Sequence, residues 1–258
     1  FKPPLGKQLT MSVEAPNTNH KFQPVSNTTS SQTDPSHFQS LFKTESAQHR
    51  TDYTPKSPKN NTTWLEYSDK HPNYIQQAKQ EMSKKGPLLL KISHSNPTES
   101  DIQTLSQPLQ TNKSVKHFII RHSQLNHHHT QHIQQVLSRN DGIAWLVLDH
   151  NKIDDRGTKH LADGLETNQS VLHVVLGDNL IGDSGAQSLA NATKKNKTIQ
   201  TLFVQGNNIG DTGATHLINA IKNGVSFTTL DIRDNPISDR VKINLKQVCE
   251  AKHIRCYT

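Results

Sequence analysis

The sequence predicts an α/β solenoid: six β-α repeats of 28 residues, with a parallel sheet on the concave face of a horseshoe and helices on its convex face. Residues 87–254 align with themselves at intervals of 28 without an insertion. Each repeat opens with apolar residues at the period of a strand and continues with an apolar pattern of helical period. Self-similarity over this length is typical of solenoids, whose repeats bury their apolar faces against each other.

The strands follow from the first positions of each repeat. The repeats begin at Pro87, Val115, Ile143, Val171, Ile199 and Phe227. Counted from these residues, the apolar positions 4 and 6 predict the inward face of a short strand. They hold Leu90/Ile92, Phe118/Ile120, Leu146/Leu148, Val174/Leu176, Leu202/Val204 and Leu230/Ile232.

A turn rich in hydrogen bonds is predicted after each strand. Position 9 is asparagine in the last four repeats, and an asparagine side chain can both donate and accept. We therefore expect stacked copies to bond to the turn backbones of neighbouring repeats. The copies are Asn151, Asn179, Asn207 and Asn235.

The second half of each repeat predicts a helix. We expect aspartate at position 13 to be its N-cap, leucine at position 19 to be buried, and asparagine at position 26 to end it in a left-handed conformation. These residues are Asp155, Asp183, Asp211 and Asp239; Leu161, Leu189, Leu217 and Leu245; and Asn112, Asn140, Asn168 and Asn196. Glycine recurs at position 15, as Gly157, Gly185 and Gly213.

Two regions precede the repeats. Residues 1–62 are dominated by Ser, Thr, Asn, Gln, Pro and Lys without an apolar period, which predicts a disordered leader. Within 63–86, the apolar face of NYIQQAKQEMSKKG predicts a helix that caps the solenoid. The repeat domain is expected to span 87–258 and to include a C-terminal cap.

The pattern L-x-x-L-x-L-x-x-N-x-I-x-x-x-G-x-x-x-L resembles the leucine-rich repeats of the ribonuclease-inhibitor-like subtype. The resemblance covers residues 87–254 and implies the horseshoe. Similar repeats occur in Ran GTPase-activating proteins, nucleotide-binding innate immune receptors, tropomodulins and effectors secreted by intracellular bacteria. The first two repeats depart from the pattern, since Ser95 and Ser123 replace the asparagine, and Asp101 and His129 replace the glycine.

On such a horseshoe, positions 3, 5 and 7 form the concave surface. Position 5 is apolar in four consecutive repeats although the core does not require it, so we predict an exposed stripe that binds a protein partner. The predicted binding residues are Ile119, Trp145, Val147, His173, Val175 and Phe203, with a charged rim of Arg121, Asp149 and Arg233. Two alternatives stay open: parallel strands favour β-branched residues at any position, or the leader or a cap covers the stripe.

Position 8 places histidines in a column. His94, His122, His150 and Asp178 recur at intervals of 28, so parallel strands would hold them about 4.8 Å apart. Such a column could bind Zn²⁺ or titrate near pH 6, which makes a metal- or pH-responsive protein the alternative function. Because a linear column is poor tetrahedral geometry, we assign no metal site.

The sequence does not indicate catalysis. It has no glycine-rich phosphate loop, nucleophile elbow or HExxH motif, so we predict a binding protein that is not an enzyme and uses no cofactor. A GTPase-activating role of the Ran-activator type is a further alternative, implied by the resemblance alone.

Composition narrows the partners and the location. The net charge is +7, but the lysines are scattered without interleaved aromatic residues, so we expect no nucleic-acid partner. No apolar run approaches a membrane span, and two cysteines without a wider framework fit a reducing compartment. We expect a cytoplasmic monomer with a protein partner. The leader and the aromatic-poor composition are similar to effectors that intracellular bacteria deliver into a host cytosol to act on host proteins.

Overall fold

The computed structural model describes residues 63–68, 73–83 and 88–258. The predicted disordered leader at 1–62 lies outside the described residues. Within the described part, eight parallel strands form one sheet in sequence order, and seven helices alternate with them. The predicted α/β repeat solenoid is therefore confirmed.

The elements have the following bounds. The strands are β1 (Thr63–Tyr67), β2 (Leu88–Ser93), β3 (Val115–Arg121), β4 (Trp145–Val147), β5 (His173–Val175), β6 (Thr201–Phe203), β7 (Thr229–Asp231) and β8 (Arg255–Tyr257). The helices are α1 (Tyr74–Glu81), α2 (Glu99–Leu109), α3 (His127–Leu137), α4 (Asp155–Thr167), α5 (Asp183–Lys195), α6 (Asp211–Lys222) and α7 (Asp239–Ala251).

The strands pair at the repeat spacing. Leu146 lies opposite Phe118 on one side and Val174 on the other, 28 residues away in each direction. Leu146 and the other residues at positions 4 and 6 are fully buried in one core, which they share with the helix leucines such as Leu161. Helices therefore pack on one face of the sheet only, and the opposite face is called the concave face below.

Two strands extend the sheet beyond the six predicted repeats. The prediction of a capping helix at 63–86 is incomplete, because β1 precedes α1 and pairs with β2. Leu65 lies opposite Leu90 at a spacing of 25, and Cys256 lies opposite Leu230 at a spacing of 26. An alignment at 28 residues misses both strands for this reason.

The position 9 asparagines form the predicted ladder between repeats. Asn179 Nδ2 donates to the Leu148 carbonyl at 3.0 Å, and Asn179 Oδ1 accepts from the Ile153 amide at 3.0 Å. Equivalent bonds are made by Asn151, Asn207 and Asn235. Each buried amide is satisfied by backbone groups of the preceding repeat, which confirms the expected role.

The position 26 asparagines form a second ladder, and the prediction of a left-handed backbone there is wrong for Asn168 and Asn196. Their φ and ψ are −67° and 137°, and −66° and 137°, which is extended. Asn168 Nδ2 donates to the Leu137 carbonyl at 2.8 Å, and Asn168 Oδ1 accepts from the Val171 amide at 2.7 Å. Asparagine is used there for its side-chain hydrogen bonds and not for its backbone freedom.

The position 13 aspartates begin their helices instead of capping them, so the predicted role is wrong. Helix α5 begins at Asp183, after Gly182, which has no capping side chain. The amides of Gly182 and Gly185 donate to Asp155 Oδ1 of the preceding repeat, at 2.6 and 2.9 Å. Each of these aspartates therefore caps the helix of the next repeat.

The glycine at position 15 has its explanation in this cap. A Cβ atom added to Gly185 would lie 2.7 Å from Asp155 Oδ1, and one added to Gly213 would lie 2.6 Å from Asp183 Oδ1. Both distances are too short for non-bonded atoms, so glycine allows the carboxylate to approach the first turn of the helix.

Candidate functional site

The concave face carries an apolar row at position 5, formed by Ile119, Val147, Val175 and Phe203. These side chains are 0–1 % exposed, so the prediction of an exposed stripe is wrong. None of them belongs to the core between the sheet and the helices. The apolar row is therefore a second buried layer on the other face of the sheet.

A row of rings borders the apolar row at position 3. Trp145, which is 8 % exposed, stacks on His117 and on His173 with ring centroids 5.9 and 3.8 Å apart. Burial lowers the pKa of His117 and of His173 to about 4, so both are neutral at neutral pH. Neutral imidazoles can pack against the indole without a charge that would have to be desolvated.

A buried ion pair borders the apolar row at position 7. Arg121 Nε donates to Asp149 Oδ1 at 2.8 Å and Arg121 Nη2 donates to Asp149 Oδ2 at 2.5 Å. Their side chains are only 5 % and 2 % exposed. These two residues, predicted as an accessible rim, are instead an internal pair, and loss of either partner would leave a buried charge.

Long side chains at position 7 also lie across neighbouring strands. A Cβ atom added to Gly177 would lie 2.0 Å from Gln205 Nε2, so the Gln205 amide covers that glycine. The apolar row is thus enclosed between the rings of position 3 and the polar side chains of position 7. The repeat register identifies the face on which a residue lies, but not how closely its neighbours cover it.

Arg233 is the accessible member of the predicted rim. Its side chain is 38 % exposed, its Nη2 donates to Asp231 Oδ2 at 2.5 Å, and its guanidinium lies 5.4 Å from the ring centroid of Tyr257. Asp231 is fully buried. The last two strands therefore present a fixed cationic group at the C-terminal end of the concave face.

The position 8 column lies on the turns that follow the strands. His94, His122 and His150 stack with centroids 4.7 and 4.3 Å apart and interplanar angles of 14° and 10°. Every residue at this position has a positive φ, between 49° and 65°, including Asp178 and Gly206. Histidine, aspartate and glycine all tolerate this left-handed backbone better than most residues. The backbone requirement explains the column, and Gly206 was the sequence signal for it.

The stacking geometry does not support the metal-binding alternative. Parallel rings point their nitrogens side by side and not towards one ion. In the part of the chain that the structure describes, no group of three His, Cys, Asp or Glu residues is placed to hold a metal ion. His150 instead contacts two carboxylates, with Nδ1 3.4 Å from Asp178 Oδ2 and Nε2 3.6 Å from Asp149 Oδ2. Burial, then the neighbouring His150, lowers the pKa of His122.

The side chains of the column form the most accessible part of the site. His94, His122, Asp178 and Asp234 are exposed, and His150 is half-buried. These five residues are called the turn ridge below. It carries imidazoles at one end and carboxylates at the other, along the edge of the concave face.

Comparisons with known proteins agree with the repeat architecture. Residues 167–190 and 195–217 match a family model described as Leucine Rich repeat, and no curated protein matches the chain. None of the described helices is long and apolar enough to cross a membrane.

Several solved structures are similar in fold. The actin-binding site 2 of leiomodin-1 is 14 % identical, with a TM-score of 0.44 over 69 % of this chain and 86 % of that one. The tropomodulin C-terminal domain of Caenorhabditis elegans is 10 % identical, with a TM-score of 0.44 over 69 % and 93 %. An internalin from Listeria monocytogenes is 16 % identical, with a TM-score of 0.38 over 66 % and 53 %. The matched repeats and the eight-stranded β-α architecture identify the chain as a leucine-rich repeat protein.

Proposed function

We propose that this protein is a non-enzymatic binding module that recognises a protein partner along the turn ridge and the adjacent rim of the concave face. The observation that carries the proposal is the arrangement of the ridge itself. Its side chains stand on consecutive turns of a parallel sheet, and stacking and ion pairs hold several of them in place. Recognition groups held on rigid elements lose little conformational entropy on binding.

The buried apolar row changes which residues are expected to anchor the partner. Trp145 and Phe203 are 8 % and 1 % exposed, so they support the face from below. The accessible charges are those of Arg233, Asp178 and Asp234, with side-chain exposures of 38 % and 45 % for the first two. A partner with basic side chains opposite the two aspartates and an acidic one opposite the arginine would complement this surface.

A paired-variant binding assay tests the proposal. Asp178→Asn with Asp234→Asn removes two ridge charges and keeps residues that tolerate the left-handed backbone at both positions. Partner capture from source lysate, quantified by mass spectrometry, should fall about tenfold if each charge contributes about 0.7 kcal/mol. Lys194→Glu on the exposed face of α5 is the matched control and should capture normally. Equal losses in both variants, or no loss in the ridge variant, would contradict the proposal.

A pH-responsive form of the same function is favoured by the contacts of His150. A protonated His150 would pair with Asp149 and Asp178, which lie 3.6 and 3.4 Å away. Binding that depends on Asp178 should then weaken between pH 7.5 and 5.5. His150→Asn removes the titrating group at a position that asparagine tolerates, so its binding should lose this pH dependence; an unchanged dependence would remove His150 as the cause.

We also place the protein in the ribonuclease-inhibitor-like subtype and in the cytoplasm, as a monomer. The 28-residue repeat with a full helix after each strand supports the subtype. The described cysteines, Cys249 and Cys256, are unpaired with each other by a disulfide, which is consistent with a reducing compartment. Delivery into a host cell as a bacterial effector is supported by composition alone; sedimentation and localisation of tagged protein test these assignments.

A further inference from the structure

Two thiols meet at the C-terminal end of the solenoid. Cys249 lies in α7 and is fully buried in the core. Cys256 is the middle residue of β8, is half-buried, and packs against the same core. It lies opposite Leu230, a core residue, so its side chain is on the helix-bearing face of the sheet, as is Cys249.

The connection between the two cysteines is tight. The Ile254 amide donates to the Cys249 carbonyl at 2.8 Å, and the next amide, of Arg255, already donates to the Thr228 carbonyl of the neighbouring repeat at 2.8 Å. The two thiols are hydrogen-bonded to each other. The hydrogen bond from Cys256 lowers the pKa of the Cys249 thiol, and that of Cys256 is raised. Cys249 therefore has the greater thiolate character of the pair.

These features distinguish the pair from ordinary core cysteines. A single buried cysteine behaves as a small apolar side chain and is chemically inert. Here a second thiol is in contact, and it lies on a strand of three residues that pairs with β7. A short terminal strand opens more readily than a central one, so a small oxidant can reach the site.

We propose that Cys249 and Cys256 are a reversible redox site, at which a peroxide converts the thiol pair into an intrachain disulfide that ties β8 to α7. The Cys249 thiolate attacks one peroxide oxygen, the O–O bond breaks, and the product is a sulfenic acid; the departing hydroxide takes up the thiol proton and becomes water. Cys256 then attacks the sulfenic sulfur, the S–S bond forms, and the hydroxyl leaves with the Cys256 proton as a second water. Two thiols and one hydrogen peroxide thus give one disulfide and two waters, and a thiol reductant reverses the step.

The disulfide would act on the concave rim through the neighbouring residue. Tyr257 follows Cys256 in β8, and its ring lies 5.4 Å from the Arg233 guanidinium. Fixing β8 fixes the ring against which Arg233 rests. Any effect on partner binding rests on the proposed function, whereas formation of the disulfide does not.

The test uses the whole chain without a partner. Hydrogen peroxide should remove two hydrogen atoms from the intact mass, and peptide mapping after thiol blocking should find one Cys249–Cys256 linkage. Amide exchange in β8 should slow on oxidation, and dithiothreitol should restore both the thiols and the original exchange. Cys256→Ser at the half-buried position keeps the core cysteine and should accumulate sulfenic or sulfinic acid on Cys249 without a linkage.

Three results would overturn the proposal. One is peroxide-treated protein that keeps both thiols under conditions in which exposed model thiols are oxidised. Another is oxidation that yields only intermolecular dimers on a non-reducing gel. The third is a Cys249–Cys256 linkage that leaves β8 exchange unchanged. Cys249→Ala serves as the second variant if Cys256→Ser fails to fold, and it should likewise give no intrachain linkage.

Discussion

Replacing Asp183 with alanine tests whether one repeat caps the helix of the next. Asp183 Oδ1 accepts from the Gly210 amide at 2.7 Å and the Gly213 amide at 2.8 Å. Both amides belong to the start of α6, where N–H groups have no partner within the helix. Loss of an N-cap acceptor costs about 0.5–2 kcal/mol. Because one charged carboxylate serves two amides near the helix N-terminus, we expect about 1.5–2 kcal/mol.

Thermal unfolding and amide exchange measure this effect. For a domain of this size, the expected loss lowers Tm by roughly 3–8 °C. Exchange should quicken at Gly210 and Gly213, at the start of α6. Asp163→Ala is the matched control, because this partly exposed carboxylate in α4 pairs with Lys159 at the surface and should contribute under about 0.5 kcal/mol. The capping scheme is refuted if Asp183→Ala is as stable as the control variant, or if exchange quickens only in α5.

The remaining predictions concern the concave face. Trp145→Ala should cost about 3–5 kcal/mol in denaturant unfolding because the ring is buried; a loss below about 1 kcal/mol would mean that the ring is exposed after all. His122→Asn should leave stability within about 0.5 kcal/mol, whereas His122→Val should cost about 1–2 kcal/mol because its φ is 49°; equal costs would contradict the backbone explanation. His117 and His173 have folded pKa values of about 4, below the usual 6.5, so the unfolded chain takes up protons first and stability should fall as pH drops from 6.5 to 4, by on the order of 3 kcal/mol per histidine. Urea unfolding across this range should show a smaller slope for His117→Gln with His173→Gln, and an unchanged slope would assign the loss to other groups.

The repeat period made the fold predictable. Once Leu146 and Val174 are known to be one period apart, parallel pairing places them side by side, and the same register aligns the asparagines around Asn179. Periodicity shows which residues are neighbours between repeats, which is the information that a solenoid core needs. It failed for β1 and β8, whose spacings to the next strand are 25 and 26 residues.

The candidate site was less predictable, because it depends on side-chain placement within the register. Val147 was placed on the correct face but is fully buried, since exposure depends on how its long and ring-bearing neighbours lie. The role of Asp183 was assigned within its own repeat because capping is usually local in sequence. The glycine recurring at position 15, as Gly185 and Gly213, was a signal of a close approach from outside the helix.

Capping across repeats gives the solenoid a direction along which it can be shortened or grafted. Helices α2, α3 and α4 are capped by their own residues Thr98, Asn126 and Asp154. Helices α5, α6 and α7 receive a carboxylate from the repeat before them. Trimming the chain from its C-terminal end therefore leaves every remaining helix start satisfied, whereas trimming past Asp155 from the other end leaves α5 bare. A transplantable repeat should accordingly be cut to carry the aspartate of one turn together with the glycines of the next.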